Sequence, residues 1–456
     1  MRVIVEKSSK ATMFLGFQEV RDCAYRKNRF VMWQEIDGNL LAFNNMVNKM
    51  VLLNVEEVTA LNNLQNPDLK VLEPLIRDWF LVPVDFREEQ EIDRCYELSQ
   101  LYHDTSFYNN FIILPTTDCN ARCFYCFEHG VKKLQMTEQT ALDVAAFMVE
   151  QSKGKPITVK WFGGEPLYNK KAIDIICKEL QKNEISFTST MVSNGYLFDE
   201  ETAKKAASLW NLKSVQITLD GTEDIYNKIK AFIYKDGGSA FVRVTDNIET
   251  LMNAGIRVTV RLNVSAQNKD NILELIDWLD SRYANKENLK VYCSNLFDLE
   301  HKRTSQQAQE DFNRFVQIDD LLLQKKLKKY TLNSWLGDIR GCMTQSPNSV
   351  VIAPDGKLGK CEHYSEGDKM FGSIYETEVR REALNYWKQF NRIEACKDCV
   401  AYPNCLGEGN CPDLSLQCAS VEKPMKIRHM TMAMQNEWKQ YLERKENEET
   451  DDSSSC

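Results

Sequence analysis

The sequence predicts an α/β protein built on a parallel sheet, and three observations carry that prediction. Between residues 111 and 294, apolar runs of strand length alternate with amphipathic helical stretches. Repeated βα units of this kind imply parallel strands joined by right-handed crossovers. Ahead of them lies a separate strand-and-helix module, and behind them come closely spaced cysteines. At 456 residues the chain has room for about three domains.

Composition narrows the class. Hydrophobic residues make up 43% and charged residues 27%, as expected of a globular protein with a full-sized core. A net charge of −9 argues against nucleic acid or an anionic membrane as the general partner. No apolar run approaches bilayer-spanning length and the N-terminus lacks a signal-peptide core, so a cytoplasmic protein is expected. Fifteen cysteines in such a chain point to metal rather than disulfides.

Residues 1–105 read as a module of their own. Arg29–Ile36 and Asn39–Phe43 flank Asp37-Gly38, a strong hairpin signal, and a third strand, Met50–Leu53, follows the Asn44-Asn45 turn. Asn54 can cap a helix through Glu56–Leu64, and a second helix is expected around Leu69–Asp78. Trp79–Val84 reads as a return strand, and the acidic run Glu88–Tyr102 as a linking helix. Three strands followed by helices resemble the winged-helix recognition domain (RRE, PqqD-like) of enzymes that modify ribosomally made peptides. A DNA-binding winged helix is the alternative, but 12 Lys and Arg stand against 17 Asp and Glu here, a net of −5 where a DNA reader should be basic. The resemblance implies that a leader peptide adds as an extra strand on the sheet edge.

The candidate parallel strands are Phe111–Leu114, Ile157–Phe162, Phe187–Ser193, Ser214–Leu219, Arg257–Val264 and Leu289–Ser294. Helical stretches at Glu138–Ser152, Lys171–Lys182, Glu201–Leu209, Ala240–Ala254 and Asn271–Tyr283 lie between them. Directly after the first strand come Cys119, Cys123 and Cys126, spaced C-x3-C-x2-C. Three thiolates on one compact loop can hold three irons of a [4Fe–4S] cube and leave the fourth open to a ligand. A zinc knuckle or a cluster of buried thiols is the alternative, although zinc sites usually show paired C-x2-C ligands.

With the aromatic Tyr125 directly before the third cysteine, this stretch resembles the radical S-adenosylmethionine (radical SAM) superfamily. Features farther on resemble its branch with a C-terminal SPASM extension, and the resemblance runs from about Phe111 to Cys418. It implies a partial (β/α)6 barrel whose chemistry sits at the C-terminal ends of the strands, with SAM as cofactor. Gly163-Gly164-Glu165-Pro166 matches the family's motif for the SAM amino group, where glycines admit close approach and a carboxylate suits an ammonium. Alone it would read equally well as a plain βα turn. Ser193-Asn194-Gly195 matches the ribose-contacting turn, and Thr218, in Gln216–Gly221, the small hydroxyl residue that contacts SAM. Arg261 and Asn263 alternate with apolar residues and can point into the barrel, where polar filling is the alternative to SAM contact.

Toward the C-terminus, Cys342-x13-Gly356-x4-Cys361 spans a hairpin, Val350–Ala353 and Lys357–Lys360 around Pro354-Asp355-Gly356. Cys396-x2-Cys399-x5-Cys405, Cys411 and Cys418 follow, and the pattern resembles SPASM apart from Cys405-x5-Cys411, where the family has x3. The resemblance implies two auxiliary [4Fe–4S] clusters, three in all. Cys396, Cys399, Cys405 and Cys418 would hold the outer one, and Cys342, Cys361 and Cys411 the inner one with three ligands. Cys293 or a non-cysteine group could supply the fourth, or an open iron could take a substrate thiolate. A zinc ribbon of Cys396, Cys399, Cys405 and Cys411 is the alternative. Glu362, next to Cys361, stands where sulfatase-maturing relatives carry an aspartate proposed as base, so it is a candidate general base or else a solvated glutamate.

These readings give a recognition module with its linking helix at 1–105, a radical SAM barrel at 106–300 and a bridging helical region at 301–340. A SPASM domain at 341–420 and a helix with a polar tail at 421–456 complete the chain. The activity implied is hydrogen abstraction by a 5′-deoxyadenosyl radical from a precursor peptide, with a flavodoxin or ferredoxin as reductant. The product expected first is a cysteine thioether of the sactionine or ranthipeptide type. Carbon–carbon or carbon–oxygen cyclisation and a sulfatase-maturing oxidase are rivals; an iron–sulfur electron carrier or a peptide chaperone would be non-enzyme readings.

Overall fold

A computed structural model describes the chain except for residues 8–13, 103–104, 234–237, 266–267, 284–285, 296–304, 329–342, 388–395, 397, 405–422 and 454–456. The chain divides into two compact units. One contains Met1–His103, Tyr330–Cys342 and Phe390–Cys456, the other Asp104–Lys329 and Met343–Gln389.

The first unit holds β1 (Arg2–Glu6), β2 (Tyr25–Lys27), β3 (Val31–Ile36), β4 (Asn39–Asn44), β5 (Lys49–Leu52) and β6 (Leu81–Pro83). An antiparallel sheet runs in the order β1-β5-β4-β3, while β2 pairs with β6. Asp37 and Gly38, at φ 50° and 73°, form the two-residue turn foreseen between β3 and β4, with Ile36 opposite Asn39. Asn54 caps the helix Val55–Ala60 in a reciprocal box with Glu57. One sheet face buries Val31, Ala42 and Val51 against Leu72, Leu75 and Ile76 of the helix Leu69–Arg77.

The helix Lys423–Ser453 also belongs to this unit: Trp438 Nε1 donates to Asp37 Oδ2 at 3.1 Å and the Thr431 hydroxyl reaches Met32 Sδ at 3.8 Å. So does the segment carrying Cys396 and Cys399. Asn45 Nδ2 donates to the Val400 carbonyl at 2.6 Å, Tyr402 donates to Asp93 at 3.1 Å, and the Phe30 and Tyr402 rings lie 5.7 Å apart. The recognition module foreseen at 1–105 therefore shares its unit with the chain's C-terminal helix.

Glu88 anchors the linking helix and its side chain is fully buried. Burial works against its charge, but Arg26 and Arg29 donate to it and hold the carboxyl down at about 2 from an ordinary 4.5. A depressed carboxyl stabilises the fold above its unfolded value and loses that contribution as pH falls toward the folded one. The shift corresponds to roughly 3 kcal/mol at neutral pH. Glu88→Gln is therefore expected to lower stability by about that much at pH 7, with the gap to wild type closing between pH 5 and 2. Urea midpoints of both proteins at pH 7, 5 and 3 check this; a gap that stays constant would exclude it.

The second unit is organised by one sheet, in the order β12-β11-β10-β9-β8-β7-β13-β14-β15. Six strands follow one another in parallel: β7 (Asn110–Ile113), β8 (Ile157–Trp161), β9 (Phe187–Ser193), β10 (Leu212–Leu219), β11 (Arg257–Val264) and β12 (Leu289–Asn295). Between them, helices bury one stripe each; Lys170–Lys182 buries Ala172, Ile173, Ile176, Cys177 and Leu180. Cys177 is thus a small buried hydrophobe. A helix at Glu223–Lys230 was not legible in the sequence.

The foreseen C-terminal hairpin forms, with β13 (Ser349–Ile352) antiparallel to β14 (Lys357–Gly359). It does not stand apart, however. β13 pairs in parallel with β7, and β15 (Gly372–Ser373) follows β14. The bridging helical region expected at 301–340 holds a helix over Ser305–Gln324. Among the described residues no helix is long and apolar enough to cross a membrane.

Candidate cluster and cofactor site

β7 delivers the chain to a loop that folds back on itself. Thr117 N donates to the Leu134 carbonyl at 3.0 Å and Met136 N to that of Pro115 at 2.9 Å, so the cysteines project from a pinned base. The Cys126 amide donates to the Cys123 carbonyl at 3.2 Å, closing a turn between the last two cysteines. All three thiols are half-buried. Burial, then the charge of Glu165, pushes Cys119 up to about 12, and burial also raises Cys126.

The Gly163–Pro166 turn packs directly on this loop. A Cβ on Gly163 would lie 2.2 Å from the Thr116 carbonyl oxygen, and one on Gly164 2.3 Å from that of Asp118. Glycine is required here because backbone meets backbone, a closer reason than the ligand approach expected from the sequence. The Gly164 and Glu165 amides donate to those same carbonyls at 3.2 and 3.0 Å.

Glu165 is a brace. Its Oε1 accepts from Leu167 N (3.1 Å) and the Ser193 hydroxyl (2.9 Å), and its Oε2 from Asn194 N (2.7 Å). Burial raises its carboxyl to about 7, against those three donors. Asn194 in turn donates to Asn120 Oδ1 at 2.7 Å and places Nδ2 3.8 Å from Cys119 Sγ. The cysteine loop, the Gly-Gly-Glu-Pro turn and the Ser-Asn-Gly turn thus form one hydrogen-bonded assembly. Asn120 is a member that sequence reasoning missed; its place inside the cysteine spacing was the available signal.

Farther along the sheet, Thr218 and Arg261 are register partners on β10 and β11, and Asn263 lies two residues beyond Arg261 on the same face. Arg261 Nη2 donates to Ser294 Oγ at 3.0 Å, whereas Arg261 Nε and Asn263 Oδ1 are buried without a partner among the described residues, as are Asn120 Nδ2 and Asp220 Oδ1. Unpaired buried polar atoms at the ends of parallel strands fit a polar cofactor lying over them.

Glu362 is neither solvated nor isolated. Lys160 of β8 donates to both its oxygens, at 2.9 and 2.6 Å, and the Glu362 side chain is 18% exposed. Its neighbour His363 packs 4.6 Å from the Phe127 ring beside Cys126. The segment Cys361–His363 therefore lies against the cysteine loop. Cys293 pairs in register with Leu262, so it faces away from Arg261 and Ser294. Cys342, Cys405, Cys411 and Cys418 lie outside the described residues.

Three thiols beside N–H donors are a soft donor set that suits an iron–sulfur cube. A bound cluster takes them as thiolates, overcoming the raised pKa values. Among the described residues no three His, Cys, Asp or Glu side chains gather round one point as ligands of a single ion would. A cube asks only for one thiolate per iron.

A cysteine loop at the head of a parallel α/β sheet, with glycine and amide turns around it, defines a cluster-bearing, SAM-dependent class of protein. Residues 113–279 match the Radical SAM superfamily, and they form a radical SAM domain. The chain is 28% identical over 299 residues to a probable GTP 3′,8-cyclase of Archaeoglobus fulgidus, covering 60% of this chain and 95% of that one. It is 22% identical over 439 residues to the radical SAM cyclopropyl synthase TigE of Paramaledivibacter caminithermalis, covering 87% and 88%. Among solved structures, native anSMEcpe with bound AdoMet and Cp18Cys peptide shares the fold, with a TM-score of 0.52 at 17% identity over 75% of this chain and 99% of that one.

Proposed function

We propose that the chain is a radical SAM maturase that installs a cross-link in a ribosomally made precursor peptide, a cysteine thioether first. The observation that carries the catalytic part is the hydrogen-bonded assembly of cysteine loop, Glu165 turn and Asn194 turn. When bound, the cluster and SAM supply a one-electron route to removing hydrogen from carbon. The chain's own residues orient and shield: Cys119, Cys123 and Cys126 hold the cluster, and Tyr125, Gly163–Pro166, Ser193, Asn194, Thr218, Arg261 and Asn263 surround SAM. Glu362, steered by Lys160, stands where a proton leaving the peptide could be held.

For the peptide, support comes from the acidic first unit, whose sheet has β3 at one edge, the place for an added leader strand. The anSMEcpe structure with a peptide points the same way. Two auxiliary clusters, on Cys396, Cys399, Cys405 and Cys418 and on Cys342, Cys361 and Cys411, remain part of the proposal. Cys293 or a non-cysteine group would complete the inner one, or an iron left open there would take a substrate thiolate. A flavodoxin or ferredoxin would supply electrons. The likeness to a cyclopropyl synthase over 87% of the chain favours a second reading, carbon–carbon bond formation.

Anaerobic incubation with reductant, SAM and a small peptide encoded beside the gene separates the two. Loss of two hydrogens and one alkylatable thiol is expected for the thioether. Loss of two hydrogens with every thiol still free would move the assignment to carbon–carbon or carbon–oxygen closure. An unmodified peptide without 5′-deoxyadenosine would sink both.

A further inference from the structure

Lys230 ends the helix Glu223–Lys230, yet its side chain is only 5% exposed and that of its partner Asp220 is fully buried. The ammonium lies 2.9 Å from Asp220 Oδ2 and donates to the Tyr125 hydroxyl at 2.8 Å; that hydroxyl donates to Asp220 Oδ2 at 2.7 Å. The three groups close a ring. Backbone contacts fasten the same segment to the cysteine loop: Arg122 N donates to the Lys230 carbonyl at 2.8 Å, and Ile233 N to that of Asn120 at 2.9 Å. Asn268 Nδ2 holds the Asp220 carbonyl at 2.9 Å from the other side.

Stability alone does not account for this ring. Apolar residues of similar volume often match or exceed a buried ion pair, because both charges lose their hydration. What the pair adds is a fixed dipole in a medium of low dielectric, bound to Tyr125, the residue before Cys126. An ammonium near a metal centre favours the form carrying one more electron, and a carboxylate opposes it.

We propose that Lys230 and Asp220 are opposed charges that set the electron affinity of the cluster held by Cys119, Cys123 and Cys126, with Tyr125 fixing them to the loop. They are positioning residues, and the inference rests on the reading of that loop as a cluster site. Removing one charge leaves the other unopposed, so the two single variants shift the cluster in opposite directions. Simple damage to the loop would shift both the same way.

The test is a dithionite titration of the full-length, iron-reconstituted protein, following the SAM-responsive part of its EPR signal. Asp220→Asn is expected to raise the midpoint and Lys230→Gln to lower it. Each change should be about tenfold in the reduced-to-oxidised ratio at fixed potential, or about 59 mV for one electron. Lys230→Arg and the double variant Asp220→Asn/Lys230→Gln should titrate close to wild type. Asp220→Asn is nearly isosteric and decides the matter even if Lys230→Gln does not fold: a midpoint at or below wild type overturns the inference. So do two single-variant shifts of the same sign. A wild-type protein with no SAM-responsive signal instead overturns the reading of the loop as the cluster site.

Discussion

Cys126→Ser is expected to abolish SAM cleavage and to lower iron by about four atoms per chain, the content of one cube. The serine keeps the volume and the turn to Cys123 but offers an oxygen in place of the soft ligand that iron prefers. Two thiolates on a loop this short leave two irons without protein ligands. Because the loop base is pinned by backbone hydrogen bonds of Thr117 and Met136 that do not involve the Cys126 side chain, the fold should survive. Iron content, 5′-deoxyadenosine release and the far-ultraviolet dichroism of the same preparation check the three parts of the expectation. A variant that keeps its full iron and cleaves SAM would remove Cys126 from the site.

Glu165→Ala comes next in size. It deletes one acceptor group and strands three donors, the Leu167 and Asn194 amides and the Ser193 hydroxyl, in a buried setting. Each stranded donor costs about 1–3 kcal/mol, less than additively, since the turns can part and admit water. That parting is what matters for SAM, because Asn194 is carried by the turn that Glu165 holds. We expect the dissociation constant for SAM to rise roughly 100-fold, which is about 2.7 kcal/mol. Glu165→Gln keeps an oxygen for one side but turns an N–H₂ toward a donor on the other, and should fall between. Equilibrium dialysis of SAM against iron-loaded protein orders the three. An alanine variant that binds SAM like wild type would leave Glu165 a purely local brace.

Much of this was legible because it is encoded locally. Asp37-Gly38 specifies its hairpin through two left-handed positions, and Asn54 and Glu57 specify a helix start through reciprocal hydrogen bonds. The βα periodicity gave all six parallel strands to within two residues at each end. The cysteine loop was named as a candidate from its spacing, and the two turns beside it from the resemblance to the radical SAM superfamily. Their mutual hydrogen bonds were not, since nothing in a turn's sequence tells which backbone it will touch.

Pairings across great sequence distance were invisible for the same reason. Ser349–Ile352 reads as a hairpin arm, and its alignment beside β7 is decided by an apolar face shared with residues far upstream. Lys160 and Lys230 each carry a charge that sequence reasoning assigns to solvent; only the folded chain supplies Glu362 and Asp220 as partners.

The sharing of one unit by the two ends of the chain has a consequence for how the protein is made. A ribosome extends a chain by about 5–20 residues per second, and domains usually fold as they emerge. Here the Asn45 amide waits for the Val400 carbonyl 355 positions later, and Asp37 waits for Trp438, 401 positions later. At that pace the wait is roughly 20–80 s. For that interval the first unit lacks the helix Lys423–Ser453, on which Met430, Ala433 and Met434 end up buried. The radical SAM domain, whose parallel strands pair in order of synthesis apart from β13, can meanwhile assemble. The first unit thus closes only after the helix Lys423–Ser453 has been made.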